Sequence, residues 1–192
     1  MKDKRLQDPH ILPLERLVQK WRRELREMDV PHFDPDDGGT RAKLLFLFEK
    51  PGPMATSKRG SGFISQDNND PTARAVKSFL AEASIHRSQV VIWNAIPAWD
   101  GERRIRAEAR RKAPQYLLEL LAELPSVRVI VAVGREASKL LQKLDSGFTS
   151  VYTVVPSLHP SPINRASRYA AWSAIPHVWH GAAKLAGVTK DS

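Results

Sequence analysis

The chain has 192 residues, 30 of them lysine or arginine against 21 aspartates and glutamates, for a formal net charge of +9. With 42% hydrophobic and 27% charged residues it has the composition of a globular chain, long enough for one domain with a real core. It has no cysteine, which excludes disulfides, iron–sulfur clusters and cysteine-based zinc sites. No apolar run is long enough to span a membrane. The polar start Met1-Lys2-Asp3-Lys4-Arg5 leads into no apolar signal core, so a cytoplasmic location is expected. The positive excess favours an anionic partner, nucleic acid first.

In chain order, residues 13–28 place Leu14, Leu17, Val18, Trp21, Leu25 and Met28 at helical spacing, with Pro13 suited to a first turn. Residues 30–40, rich in Pro, Gly and Asp, predict a loop. Four short apolar runs follow, at 44–48, 90–96, 127–133 and 151–155, and most are rich in β-branched residues, as buried parallel strands are. Between and after them the pattern predicts helices over 72–83, 106–123, 135–143 and 166–186, the last interrupted or kinked at Pro176. Strands alternating with helices predict an α/β sandwich around a mostly parallel four-stranded sheet. Residues 1–39 read as a helical extension and loop packed on a single domain of residues 40–192.

In open parallel sheets, ligands bind beyond the carboxyl ends of the strands. The polar and backbone-shaping residues of this chain gather there. Glu49-Lys50-Pro51-Gly52-Pro53 follows the first strand, Asn94 ends the second and Gly134 follows the third. His159-Pro160-Ser161-Pro162-Ile163-Asn164 follows the fourth. A site bounded by Glu49, Lys50, Asn94 and His159 is expected.

These residues carry a resemblance. HPSPIN over 159–164 resembles the second signature motif of the uracil-DNA glycosylase superfamily, and EKPGP over 49–53 is similar to the first. Phe63 and Asn94 fall in the order expected of the family's base-stacking aromatic and base-reading amide, so the likeness runs over about residues 44–164. It implies the family's three-layer fold and hydrolysis of the bond between sugar and uracil, or a related base, in single- or double-stranded DNA. The members whose first motif reads Gly-Glu-x-Pro-Gly usually carry an iron–sulfur cluster, which a chain without cysteine cannot hold, so no cofactor and no metal are expected, and a monomer is expected.

The implied roles follow the chemistry. Asn94 reads O4 and N3–H of uracil with one amide, a pattern that cytosine inverts. His159 donates to O2 as the leaving base becomes anionic, and Phe63 stacks on the flipped base. Ser161 and the backbone near Pro162 hold a phosphate, with Asn164 beside them, and Ile163 wedges into the duplex. Apart from the resemblance, Arg103 and Arg104 belong to a basic stretch after the second strand that either contacts phosphates beside the site or is a solvated helix face.

The first motif departs from the family pattern. Lys50 stands where an Asp or Asn usually positions the attacking water, so either the preceding Glu49 or Lys50 itself serves there, or Lys50 contacts a phosphate, or these charges form only a surface ion pair. Gly52 stands where the strictest members place a Tyr that blocks a 5-methyl group, which predicts tolerance of 5-substituted uracils. The alternative is a damaged-DNA-binding protein on the same fold, with weak catalysis or none. An enzyme of free nucleotides is a third class, one that needs neither Ile163 as a wedge nor the positive charge. Metal binding by Asp34, Asp36 and Asp37 or by His177 and His180 is not expected. Ser161 lacks the elbow of a hydrolase nucleophile.

Overall fold

The computed structural model describes residues 2–144 and 146–188. The first helix, α1 (Leu12–Glu24), has Pro13 in its first turn and buries Leu14, Leu17, Val18 and Trp21 along one stripe. A two-residue strand, β1 (His32–Phe33), precedes the first long strand, β2 (Leu44–Phe48). Then come β3 (Phe63–Ile64), which pairs with β1, and α2 (Pro71–Glu82). The next elements are β4 (Val90–Asn94), α3 (Ala107–Ala122), β5 (Val129–Val133) and α4 (Arg135–Leu141). The chain ends through α5 (Ser146–Val151), β6 (Thr153–Ser157), α6 (Pro162–Ser167), α7 (Tyr169–Ser173) and α8 (Ile175–Leu185).

The main sheet has the order β4-β2-β5-β6 and is parallel throughout. Every residue of β2, β4 and β5 is buried, which is why these strands read as continuous apolar runs. The partly exposed β6 lies at the edge, where its Pro156 leaves no ladder bond unmade. Helices α1, α3 and α4 pack together, as do α2 and α8, making the two outer layers of a sandwich. This is the expected fold class, with a four-stranded parallel sheet at its centre.

The C-terminal helical stretch differs from its expected form. It is three helices rather than one: Arg168 leaves the helical region at φ −143 between α6 and α7, and a second break falls at Ala174, between α7 and α8. Pro176 sits in the first turn of α8, where its missing N–H costs nothing, so the stretch is interrupted beside it rather than kinked. The last strand starts at Thr153 rather than Val151, which closes α5.

Beneath the end of β4 lies an aromatic stack. The Trp93 ring lies 3.6 Å from Phe33, nearly parallel, and 5.8 Å from Trp21. Trp21 belongs to α1 and Phe33 to β1, so the N-terminal elements share one core with the sheet.

Candidate active site

The register Phe48↔Asn94 and Val133↔Ser157 brings the four strand ends to one edge. The chain leaves β2 toward β4 on one side and returns to β5 on the other, so the switch point of the sheet lies between β2 and β5. A cleft of about 1280 Å³ opens there. Its lining includes Glu49, Gly52, Asp70, Asn94, Arg103, Gly134, His159, Ser161, Pro162 and Asn164.

Glu49 is the first residue past β2. Its Oε1 accepts the backbone N–H of Glu136 at 3.0 Å, in the first turn of α4. Gly134 makes room for that carboxylate, since a Cβ on Gly134 would lie 2.6 Å from Oε1. Gly134 also has φ +93, a region that favours glycine. One residue thus serves as both a turn and a notch.

Lys50 also lines the cleft, but its ammonium is engaged by the loop after β4. Its ammonium pairs with Asp100 and donates to the carbonyls of Glu102 at 2.8 Å and Arg104 at 3.2 Å. Both side chains of the pair are buried, with Lys50 5% and Asp100 8% exposed. Burial opposes ionisation of Asp100, but the Lys50 ammonium and the Glu102 N–H hold it below the usual carboxylate range. All three ammonium hydrogens are therefore spent on closing the loop after β4, and none is left to bind a water or a phosphate.

Asn94 is 6% exposed. Its side-chain amide lines the cleft and makes no hydrogen bond within the described residues. Most buried amides are paired, so this one stands out.

His159 is fixed by its own loop. Its carbonyl accepts Ser161 N–H at 2.8 Å and Asn164 Nδ2 at 2.8 Å, while Ser161 caps α6 by accepting Asn164 N–H. The ring meets Phe48 edge-on at 5.5 Å, and neither ring nitrogen has a hydrogen-bond partner within the described residues. Burial pushes the imidazole below its ordinary range, against the pull of the Glu49 and Asp70 carboxylates. The ring is neutral at neutral pH.

Asp70 was not singled out in the sequence. It caps α2 through one oxygen, Oδ1, which accepts the N–H groups of Thr72 and Ala73. Its other oxygen makes no hydrogen bond within the described residues. The helix-start signal, an Asp before Pro71, is legible, but its place across the cleft from β6 is not.

The structure brings Glu49, Lys50, Gly52, Asn94, Arg103, His159, Ser161, Pro162 and Asn164 to the cleft. Phe63 is not among its walls, contrary to the expected stacking position. Phe63 is 4% exposed and its ring packs on His32, 5.3 Å away. Successive residues of a strand face opposite sides, and in β3 it is Ile64 that reaches the cleft. With Phe48 and Ile92, Ile64 makes the apolar wall. Arg104 is exposed outside the cleft, and its carbonyl serves Lys50. Ile163 is 76% exposed on α6, at the rim. Gly52 has ordinary extended backbone, and a Cβ there would meet nothing within 4 Å.

Asp34, Asp36 and Asp67 lie close enough together to hold a metal ion. Their charge is already matched by protein cations. Lys2 pairs with all three, Arg5 with Asp36, and Arg87 with Asp34, Asp37 and Asp67. His180 Nδ1 lies 3.1 Å from the Ala83 carbonyl, and His177 is exposed.

Residues 35–179 match the family model described as the uracil DNA glycosylase superfamily. No curated protein matches the chain. The family match carries a glycosylase-type function with DNA as the partner.

Proposed function

Because the chain belongs to the uracil DNA glycosylase superfamily, we propose that it hydrolyses the N-glycosidic bond of uracil, and of 5-substituted uracils, in DNA. The product is an abasic site, the starting point of base-excision repair. The observation that carries this reading is Asn94, a buried amide with no hydrogen-bond partner among the described residues, opening on a cleft that also holds a neutral histidine.

The target nucleotide first leaves the stack. Asn94 then donates to O4 and accepts from N3–H, which leaves cytosine mismatched at both atoms. As the bond from C1′ to N1 breaks, its electron pair goes to the base and positive charge grows on the sugar. The His159 N–H donates to O2 and stabilises the anion; a preorganised donor of this kind is worth about 3 kcal/mol, or roughly a hundredfold in rate. A neutral imidazole suits this role, because it supplies the donor without first surrendering a proton to the base.

Glu49 receives the proton of the attacking water while the water oxygen bonds to C1′. Its orientation by Glu136 N–H and the notch at Gly134 support that assignment. Lys50 is left out of the chemistry, since its hydrogens serve Asp100 and two carbonyls. The open space at Gly52 supports acceptance of a substituent at C5. Phe48, Ile64 and Ile92 supply the apolar surface against the base in place of Phe63. Ser161, Pro162 and Asn164 face the sugar and phosphate, Ile163 fills the vacated stack, and Arg103 adds charge at the mouth.

The test is an end-labelled oligonucleotide with one uracil, single-stranded or paired with G, treated with alkali after incubation. Strand cleavage is expected, with a loss of about a hundredfold in His159→Ala and a comparable loss in Asn94→Ala. Tight binding of the same oligonucleotide without cleavage would overturn the enzymatic reading in favour of a damage-binding protein.

A further inference from the structure

Residues 146–190 contain no aspartate or glutamate, although acids are spread through the rest of the chain. Within this stretch α6 and α7 form an exposed pair of short helices beside the cleft. The pair has two faces. Asn164, Arg168 and Ala171 line the cleft, whereas Ile163 and Tyr169 do not. Both of the latter are exposed, Ile163 at 76% and Tyr169 at 62%.

Tyr169 is nevertheless held in place. Its ring lies 6.2 Å from that of Trp172 at an interplanar angle of 22°, and Trp172 packs edge-on against Phe79 of α2 at 4.7 Å. The Arg165 guanidinium lies over the same indole at 5.2 Å. A tyrosine stacked on a core-anchored tryptophan, open to solvent and flanked by arginine, has the features of a platform for a nucleobase.

We propose that Tyr169 stacks on a base of the second DNA strand, the one that keeps its nucleotides in the helix when the target is flipped. The inference rests on reading the cleft as the seat of the flipped nucleotide. That nucleotide lies on the inner face of the α6–α7 pair. The outer face, with Ile163 at its tip, meets the duplex from which the nucleotide came. Tyr169, six residues after the wedge and likewise exposed and off the cleft wall, is assigned to that face, and α6 and α7 themselves carry no carboxylate to repel the phosphates of the strand it meets.

The test places 2-aminopurine, a fluorescent base, opposite the uracil of a duplex. Binding of the intact protein is expected to quench it by stacking, Tyr169→Phe to retain the quenching and Tyr169→Ala to abolish it. In parallel, Tyr169→Ala is expected to slow excision from the duplex about tenfold and leave excision from the single strand unchanged. The unchanged single-strand rate also shows that the variant folds. Equal fluorescence with wild type and Tyr169→Ala overturns the proposal. So does a Tyr169-dependent response only when the probe sits beside the uracil on its own strand. If the wild type excises no uracil from either substrate, the enzymatic reading fails, and the fluorescence arm still decides the role of Tyr169.

Discussion

Gly134→Ala probes the site with one added carbon. A Cβ there would lie 2.6 Å from Glu49 Oε1, well inside van der Waals contact. The atom it meets is the far end of a flexible side chain, so relief is cheap in packing terms: Glu49 swings away. What is lost is the hydrogen bond to Glu136 N–H at 3.0 Å. A bond to a charged group is worth about 1.5–3 kcal/mol when buried, and the half-buried carboxylate puts this one at the low end. Holding alanine at φ +93 and ψ 171, a region essentially reserved for glycine, costs about 1–3 kcal/mol more. Stability should therefore fall by roughly 3–4 kcal/mol in urea titration, with folding retained. Excision should fall further, by about a hundredfold, because the proton acceptor has left its place. The assay is single-turnover excision beside affinity for abasic DNA, which should be unchanged. The reasoning predicts that Glu49→Ala adds little on top of Gly134→Ala, since both remove one oriented carboxylate. Full excision activity in a folded Gly134→Ala protein, or fully additive losses in the double variant, would refute it.

Lys50→Met should cost about 2 kcal/mol by leaving the buried Asp100 carboxylate to the Glu102 N–H and the Arg106 guanidinium at 3.7 Å, roughly 6 °C in Tm at this chain length. Adding Asp100→Asn should recover part of that loss, and an unchanged Tm in the single variant would count against the pair. Asp37 is pushed up to about 7, by burial first and then by Asp34, against the pull of Arg87. The folded chain thus holds a proton that the unfolded chain releases near its ordinary value of 3.8. Asp37 therefore makes stability fall as pH rises from about 4 to about 7, and Asp37→Asn should flatten urea midpoints over that window. Gly52→Tyr should keep uracil excision and lose 5-hydroxymethyluracil, read as the ratio of the two single-turnover rates; an unchanged ratio would show that the space at Gly52 does not set base size.

The sheet was legible because burial on both faces writes a strand as an unbroken apolar run, and β2, β4 and β5 are such strands. His159, Asn94 and Glu49 were legible by position alone, since polar residues at the ends of those runs must meet at one edge. The role of Lys50 was hidden because its partner Asp100 lies fifty residues on and is brought near only by the pairing of β2 with β4. Phe63 was misread through parity. In a two-residue strand the sequence does not say which neighbour faces in, and pairing with β1 turns Phe63 toward His32 and Ile64 toward the cleft. Asp70 announced a helix start, but nothing local says that one of its oxygens is left over.

The stack beneath Asn94 bears on what counts as the smallest working unit. Trp93 stacks with both Trp21 and Phe33, and both precede the stretch shared with the family. Trimming the chain to the shared stretch would strip the indole of both stacking partners, one residue before Asn94, the proposed reader of the base. The shared stretch holds the candidate site residues, yet part of what supports them lies outside it, in α1 and β1. Transplanting the motifs into another scaffold would leave that footing behind.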